Sequence, residues 1–113
     1  MKVYHGSFAS KEDIIRDFSS GWDTLDAAIV EELDNAEILF AAYTSECYDG
    51  EAVVIFEKDG ELYEAGGSHC SCNGLEDQWS PEKTSYAALK MRARKDDYAE
   101  CRRLLHQFLE ERD

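Results

Sequence analysis

Proline and basic residues are scarce in this chain. One proline occurs in 113 residues, and 12 lysines and arginines stand against 25 aspartates and glutamates. No apolar run approaches the roughly 20 residues that a membrane-spanning helix needs, and the first ten residues lack the apolar core of a secretory signal. A shortage of basic side chains disfavours direct binding of nucleic acid or anionic lipid. We therefore expect a cytoplasmic protein that binds neither directly.

The acidic residues are concentrated in the first half of the chain. Residues 1–64 hold 16 acidic residues against 4 basic ones, a balance of −12 within a net charge of −13. Such a surface can dock on a positively charged partner, for example the basic surface of a nucleic-acid-binding protein, or it can serve solubility alone. For docking, the candidate contacts are Asp23, Asp26, Glu31, Glu32, Asp34, Glu46 and Asp49.

The spacing of apolar residues predicts four helices. Ser10 is expected to cap the first of them, which carries Ile14, Ile15 and Phe18 on one face. A second is expected over residues 23–33 and a last one over residues 96–111. The pair Ser80-Pro81 is typical of a helix start and predicts a third helix from residue 81 to about residue 92.

Three β-rich runs lie between the second and third helices, at residues 37–45, 51–58 and 61–66. Asp59-Gly60 is typical of a two-residue hairpin, and Tyr48-Asp49-Gly50 is expected to form the preceding turn. We expect a single α+β domain with a three-stranded antiparallel meander, or a four-stranded one if residues 2–4 pair at its edge. We expect helices and a metal-pinned loop, that is, a loop held to the sheet by a metal ion, to flank this sheet.

The most informative run is Ser68-His69-Cys70-Ser71-Cys72-Asn73-Gly74, which holds two of the chain's four cysteines and one of its three histidines. Imidazole and thiolate ligands together suit zinc. Cys70 and Cys72 are too close in sequence for an easy mutual disulfide. Reduced thiols bound to a metal ion are therefore favoured over a disulfide framework.

Antiparallel pairing supplies a fourth ligand. Pairing across Asp59-Gly60 places Glu57 opposite Leu62 and, further along, Ser68 opposite Glu51. The turn that contains Cys47 immediately precedes Glu51, so it meets the cluster at one end of the sheet. The predicted ligands of a structural zinc ion are Cys47, His69, Cys70 and Cys72.

Several details of this site stay open. Gly66, Gly67 and Gly74 would let the backbone bend around the ion, and the ion would pin the following loop, with Trp79, to the sheet. His5 or a carboxylate could replace one ligand. Free thiols, or a reactive Cys70 or Cys72 activated by His69, are the alternatives to a metal site.

Known enzyme motifs are absent from the sequence. It contains neither the zinc-deaminase pattern nor H-E-x-x-H, and no phosphate-binding glycine motif. The prediction is a non-enzymatic protein, with a small thiol or metallo-enzyme as the alternative.

The run from Tyr63 to Trp79 resembles a small family of phage and prophage proteins with the signature G/A-S-H-C-S-C-x-G-L-E-x-Q-W. Pro81-Glu82-x-Thr84 and Ala87-Ala88-Leu89 also fit, and the likeness is strongest over residues 51–92. Some small acidic phage proteins of this kind are type II-A anti-CRISPRs, which inhibit Cas9. The resemblance implies a phage-encoded inhibitor in the host cytoplasm, with Cas9 as leading candidate partner and Cys70 and Cys72 as signature thiols. A host-takeover or structural interaction protein with a structural zinc is the alternative.

Overall fold

The computed structural model describes residues 4–6, 8–19, 27–46, 49–69, 75, 78–92 and 100–112; at residues 45, 46, 49, 68, 69, 92, 100–102, 111 and 112 it describes the backbone only. The elements in chain order are β1 (Tyr4–Gly6), α1 (Lys11–Phe18), α2 (Ala27–Leu33), β2 (Glu37–Glu46), β3 (Asp49–Lys58), β4 (Glu61–His69), β5 (Glu82–Thr84), α3 (Tyr86–Arg92) and α4 (Glu100–Arg112).

The five strands form one mixed sheet in the order β1-β2-β3-β4-β5. The α+β class and the central β2-β3-β4 meander are confirmed. The expected three- or four-stranded antiparallel sheet is wrong in two respects. The first strand pairs parallel to β2, because α1 and α2 form a crossover between them. A fifth strand pairs antiparallel to β4.

One helix cap lies where the sequence predicts it, and another lies further along the chain. The backbone N–H of Asp13 donates to the Ser10 hydroxyl at 3.3 Å, which confirms the predicted cap of α1. The third helix begins at Tyr86 instead of Pro81. Its cap is Ser85, whose hydroxyl accepts from the backbone N–H of Ala88 at 3.2 Å. Residues 82–84 pair with β4, so the helix starts at the next residue able to cap it.

Helices cover both faces of the sheet and create two cores. Helices α1 and α2 pack on one face, and α3 and α4 pack on the other. The first core contains Phe8, Ile14, Phe18, Ile29, Leu33, Ala41, Val54 and Phe56. The second contains Phe40, Ala42, Ile55, Leu89, Leu105, Phe108 and Leu109.

A bulge in β2 adjusts the sheet to these two layers. The pairing between β2 and β3 shifts by one residue between Ile38 and Phe40. Because of this shift, the consecutive residues Leu39 and Phe40 both contribute to the second core. Strict alternation would have placed them on opposite faces.

The register of the central hairpin agrees with the sequence. Asp59 and Gly60 have φ angles of 55° and 80°, the left-handed conformation that this type of hairpin turn needs. Glu57 pairs with Leu62, and Glu51 pairs with Ser68, as predicted. The fourth strand continues beyond the expected residue 66 to His69. Asp49 and Gly50 belong to β3 instead of the expected turn, and Tyr48, the third residue of that turn, lies outside the described residues.

Candidate metal site and acidic surface

One end of the sheet carries the neighbours of the predicted metal ligands. Glu46 at the end of β2 pairs with Asp49, and Gly50 pairs with His69 at the end of β4. Adjacent strands are about 4.8 Å apart, so these strand ends lie within about 10 Å of one another. Cys47, Cys70 and Cys72 lie outside the described residues, and only the backbone of His69 is described. The ligand set therefore stays a prediction. We call this end of the sheet the cysteine end.

The chain returns to the sheet soon after the cysteine run. Leu75 is 1% exposed, and its carbonyl accepts from the backbone N–H of Gln78 at 3.1 Å. A Cβ added to Gly67 would lie 2.6 Å from the Gln78 side-chain oxygen and 3.2 Å from Leu75 Cδ2. Leu75 and Gln78 therefore lie beside Gly67, close to the end of β4.

The glycines at the end of β4 have a different role from the expected one. Gly66 and Gly67 pair regularly with Val53 and Ala52 instead of bending the backbone. The missing side chain of Gly67 lets Leu75 and Gln78 approach the sheet closely. Gly74, the third predicted glycine, lies outside the described residues.

Trp79 is held by side-chain contacts from three elements. Its ring meets Phe18 edge-on at 5.0 Å and stacks on Phe56 at 6.0 Å. Its indole N–H donates to a carboxylate oxygen of Glu32 at 2.8 Å. Trp79 therefore contacts α1, α2 and β3 directly.

The part of the chain that the structure describes contains no group of three or more histidine, cysteine or acidic residues that could hold a metal ion. The substitute ligand His5 lies on β1, three strands from β4 and hence about 14 Å away across the sheet. Its ring packs against Phe40 at 5.3 Å. Its position disfavours His5 as a ligand at the cysteine end.

Two lysines bind the C-terminal end of α2, at the opposite end of the sheet. Lys58 Nζ donates to the carbonyls of Glu32 at 2.8 Å and Glu31 at 3.3 Å. Lys11 Nζ donates to the carbonyls of Ala36 at 2.7 Å and Leu33 at 3.0 Å. The last carbonyls of a helix have no intrahelical partner and carry partial negative charge, which the ammonium groups compensate. Both ammonium groups therefore compensate main-chain carbonyls instead of nearby carboxylates.

Five carboxylates are left exposed around this helix end. We call them the acidic end: Glu31, Asp34, Glu37, Glu57 and Asp59. None of the five forms an ion pair with another described residue. The remaining described base of the first 64 residues, Arg16, pairs with Asp13 at 3.4 Å. The acidic end is therefore strongly negative.

Two of these carboxylates belong to residues that are directly opposed on neighbouring strands. Glu37 on β2 pairs directly with Glu57 on β3, and both are exposed. Directly opposed cross-strand residues have Cβ atoms about 5 Å apart, and like charges in this position destabilise a sheet. The acidic end therefore carries a cost in folding free energy.

Glu61 is a carboxylate beside the acidic end whose negative charge is compensated by neighbouring side chains. Lys83 Nζ lies 2.6 Å from one of its oxygens, and the Tyr63 hydroxyl donates to the other at 3.0 Å. Hydrogen bonding from Lys83, and then from Tyr63, lowers the pKa of Glu61. The same bond with Glu61 raises the pKa of Tyr63.

The predicted partner contacts fall into separate groups. Glu31 and Asp34 belong to the acidic end, whereas the Glu32 carboxylate is half-buried against Trp79. The backbone places Glu46 and Asp49 at the cysteine end, about 30 Å away along the ten residues of β2. Asp23 and Asp26 lie outside the described residues.

Sequence reasoning missed three members of the acidic end: Glu37, Glu57 and Asp59. A signal for them existed in the sequence. The Asp59-Gly60 hairpin and the strand that precedes it imply that the start of β2 and the end of β3 lie side by side.

Comparisons with known proteins identify no relative. No protein family, no curated protein and no solved structure matches the chain. Within the described ranges, no helix is long and apolar enough to cross a membrane.

Proposed function

We propose that this chain is a non-enzymatic, phage-encoded binding protein whose acidic end docks on a basic surface of a nucleic-acid-handling host protein. Cas9 is the leading candidate partner because of the family resemblance. The observation that supports docking most is the charge arrangement around α2, where Lys11 and Lys58 bind main-chain carbonyls. Five exposed carboxylates surround them.

Electrostatics explains how such a protein would inhibit its partner. A surface that holds nucleic acid is rich in lysine and arginine, so a compact negative surface is attracted to it over the Debye length. Once bound, the acidic end would occupy positions that the phosphates otherwise take. Inhibition then needs no chemistry, only competition for the same cations.

The opposed pair Glu37 and Glu57 fits this proposal. The pair costs stability in the free protein, and a partner cation between the two carboxylates would remove that cost on binding. Residues that serve binding commonly reduce stability in this way.

Replacing both residues with glutamine (E37Q/E57Q) is expected to change stability and binding in opposite directions. The free energy of unfolding should rise by about 0.5 kcal/mol because the cross-strand repulsion is lost. The affinity for Cas9 should fall roughly tenfold, since each charge pair with a partner contributes on the order of 0.5–1 kcal/mol. Urea unfolding and calorimetric titration measure the two effects.

A matched control for this experiment is E82Q/E110Q. Glu82 on β5 and Glu110 on α4 are both exposed, and their replacement changes the net charge by the same amount. The control should bind almost as well as the unchanged protein. Equal losses of affinity in the two double variants would show that overall charge, not the acidic end, governs binding.

We also propose that Cys47, His69, Cys70 and Cys72 hold one structural zinc ion at the cysteine end. Support comes from the meeting of the β2, β3 and β4 ends and from the return of the chain to Gly67 at Leu75. A zinc ion there would stabilise the fold, since its binding free energy adds to that of folding. It would have no direct part in docking, because the acidic end lies about 30 Å away along β2.

A further inference from the structure

Two groups of carboxylates make up the acidic end, and they belong to different elements. Glu31 and Asp34 lie at the C-terminal end of α2, whereas Glu37, Glu57 and Asp59 lie on two strands and a hairpin turn. Helix α2 has only seven residues, and isolated helices shorter than about 12 residues are at best marginally stable in water. The arrangement of the acidic end therefore depends on how α2 is attached to the sheet.

The hydrogen bond between Trp79 and Glu32 is part of this attachment. Glu32 follows Glu31 on α2, and its half-buried carboxylate accepts from the indole N–H of Trp79 at 2.8 Å. The Trp79 ring cannot easily turn away, because it lies edge-on against Phe18 of α1 and stacks on Phe56 of β3. A hydrogen bond to a carboxylate is roughly twice as strong as one between neutral groups. The last turn of α2 is therefore bonded to a ring that packs on the sheet.

We propose that Trp79 is a positioning residue for docking through the acidic end, a role that rests on the function proposed above. By holding Glu32, Trp79 fixes the last turn of α2 and keeps the helix carboxylates, Glu31 and Asp34, beside those of the sheet. A preorganised surface binds more tightly, because less conformational freedom is lost on binding. Glu32 contributes to docking through its hydrogen bond to Trp79 and not through its charge.

Two substitutions of Glu32 separate its charge from its hydrogen bond. Glu32→Gln and Glu32→Ala change the net charge equally, but the amide oxygen of glutamine can still accept from the indole N–H. The affinity of E32Q for purified Cas9 should stay within about twofold of that of the unchanged protein, and the affinity of E32A should fall about fivefold. Alanine favours a helix more than glutamine does, so helix propensity would act against this result. Calorimetric titration measures both affinities.

Amide hydrogen exchange tests the attachment of α2 without any partner. The backbone N–H groups of residues 31–34 close the last turn of α2, and their exchange should be about fivefold faster in E32A than in the unchanged protein. Trp79→Phe keeps an aromatic ring but removes the N–H, so it should give a similar increase. The double variant W79F/E32A should exchange no faster than either single variant, because all three lack the same hydrogen bond. Exchange in α4, on the other face of the sheet, should not change and is the internal control.

Equal affinities of E32Q and E32A would overturn the positioning role, and so would unchanged exchange of residues 31–34 in both E32A and W79F. The variant E31Q/D34N, which lacks the positioned charges, shows whether docking itself fails instead. If it binds Cas9 as the unchanged protein does, or if Cas9 binds neither, docking through the acidic end fails and the role of Trp79 fails with it. If E31Q/D34N loses affinity and E32A does not, docking stands and only the role of Trp79 fails. Adding E32A to E31Q/D34N should cause no further loss, whereas a further fivefold loss would mean that E32A acts on the fold as a whole and would also contradict positioning.

Discussion

Replacing Gly6 with alanine is expected to lower the free energy of unfolding by about 3 kcal/mol, from the left-handed backbone and from overpacking together. Gly6 ends β1 with a φ angle of 68°, which residues with a side chain rarely adopt. A Cβ at this position would overlap the carbonyl oxygen of Tyr43 on the neighbouring strand. That oxygen belongs to the backbone of a central strand and cannot move aside easily. Equilibrium unfolding in urea measures the loss.

Gly60→Ala is the matched control for this substitution. Gly60 has a φ angle of 80°, but a Cβ added there meets no atom within 4 Å. This variant should lose only about 1 kcal/mol, the cost of the backbone conformation. Equal losses for the two variants would mean that the close approach of β1 to Tyr43 does not contribute to stability.

Removing a bound zinc ion is expected to have the largest effect on the fold. Structural zinc sites contribute folding free energy directly, with apparent values of about 10–16 kcal/mol in zinc-finger peptides. Protein purified without added metal should contain one zinc ion per chain by elemental analysis. A strong chelator, or the substitutions Cys70→Ser and Cys72→Ser, should remove the ion and lower the stability by several kcal/mol.

Cys101→Ser is the control for the metal experiment, because Cys101 belongs to α4 and is not one of the predicted ligands. It should keep the zinc content of the unchanged protein. If Cys70→Ser kept both its metal and its stability, the zinc proposal would fail. The docking proposal would stand, since it depends on the other end of the sheet.

The sequence was most informative where short-range rules determine the structure. Asp59-Gly60 adopts the predicted hairpin turn and sets the pairing from Lys58 to Gly50. The predicted apolar face of α1 is buried, and so are Leu105, Phe108 and Leu109 on α4. Local turn chemistry and 3.6-residue periodicity suffice for these elements.

Elements that depend on distant partners were harder to predict. The strand β5 follows a strong helix-start signal at Ser80-Pro81, and only the open edge of β4 explains why residues 82–84 are extended. The parallel pairing of β1 likewise depends on where the α1-α2 crossover returns the chain. Three-residue strands carry too little local pattern to predict such pairing.

The acidic surface also depends on residues that are distant from one another in sequence. Glu32 looks equivalent to Glu31 in the sequence, yet its carboxylate binds Trp79, which lies 47 residues further along the chain. Glu37 and Glu57 are far apart in sequence and directly opposed in the sheet. Counting acidic residues along the chain predicts the sign of the surface but not which side chains form it.

The most direct test of docking is a salt titration of binding to purified Cas9. Raising the salt concentration from about 50 to about 500 mM shortens the range of electrostatic attraction to a few ångströms. We expect the affinity of the unchanged protein to fall more than tenfold over this range, and that of E37Q/E57Q to fall less. An affinity that stays constant from the lowest to the highest salt would contradict docking through the acidic end.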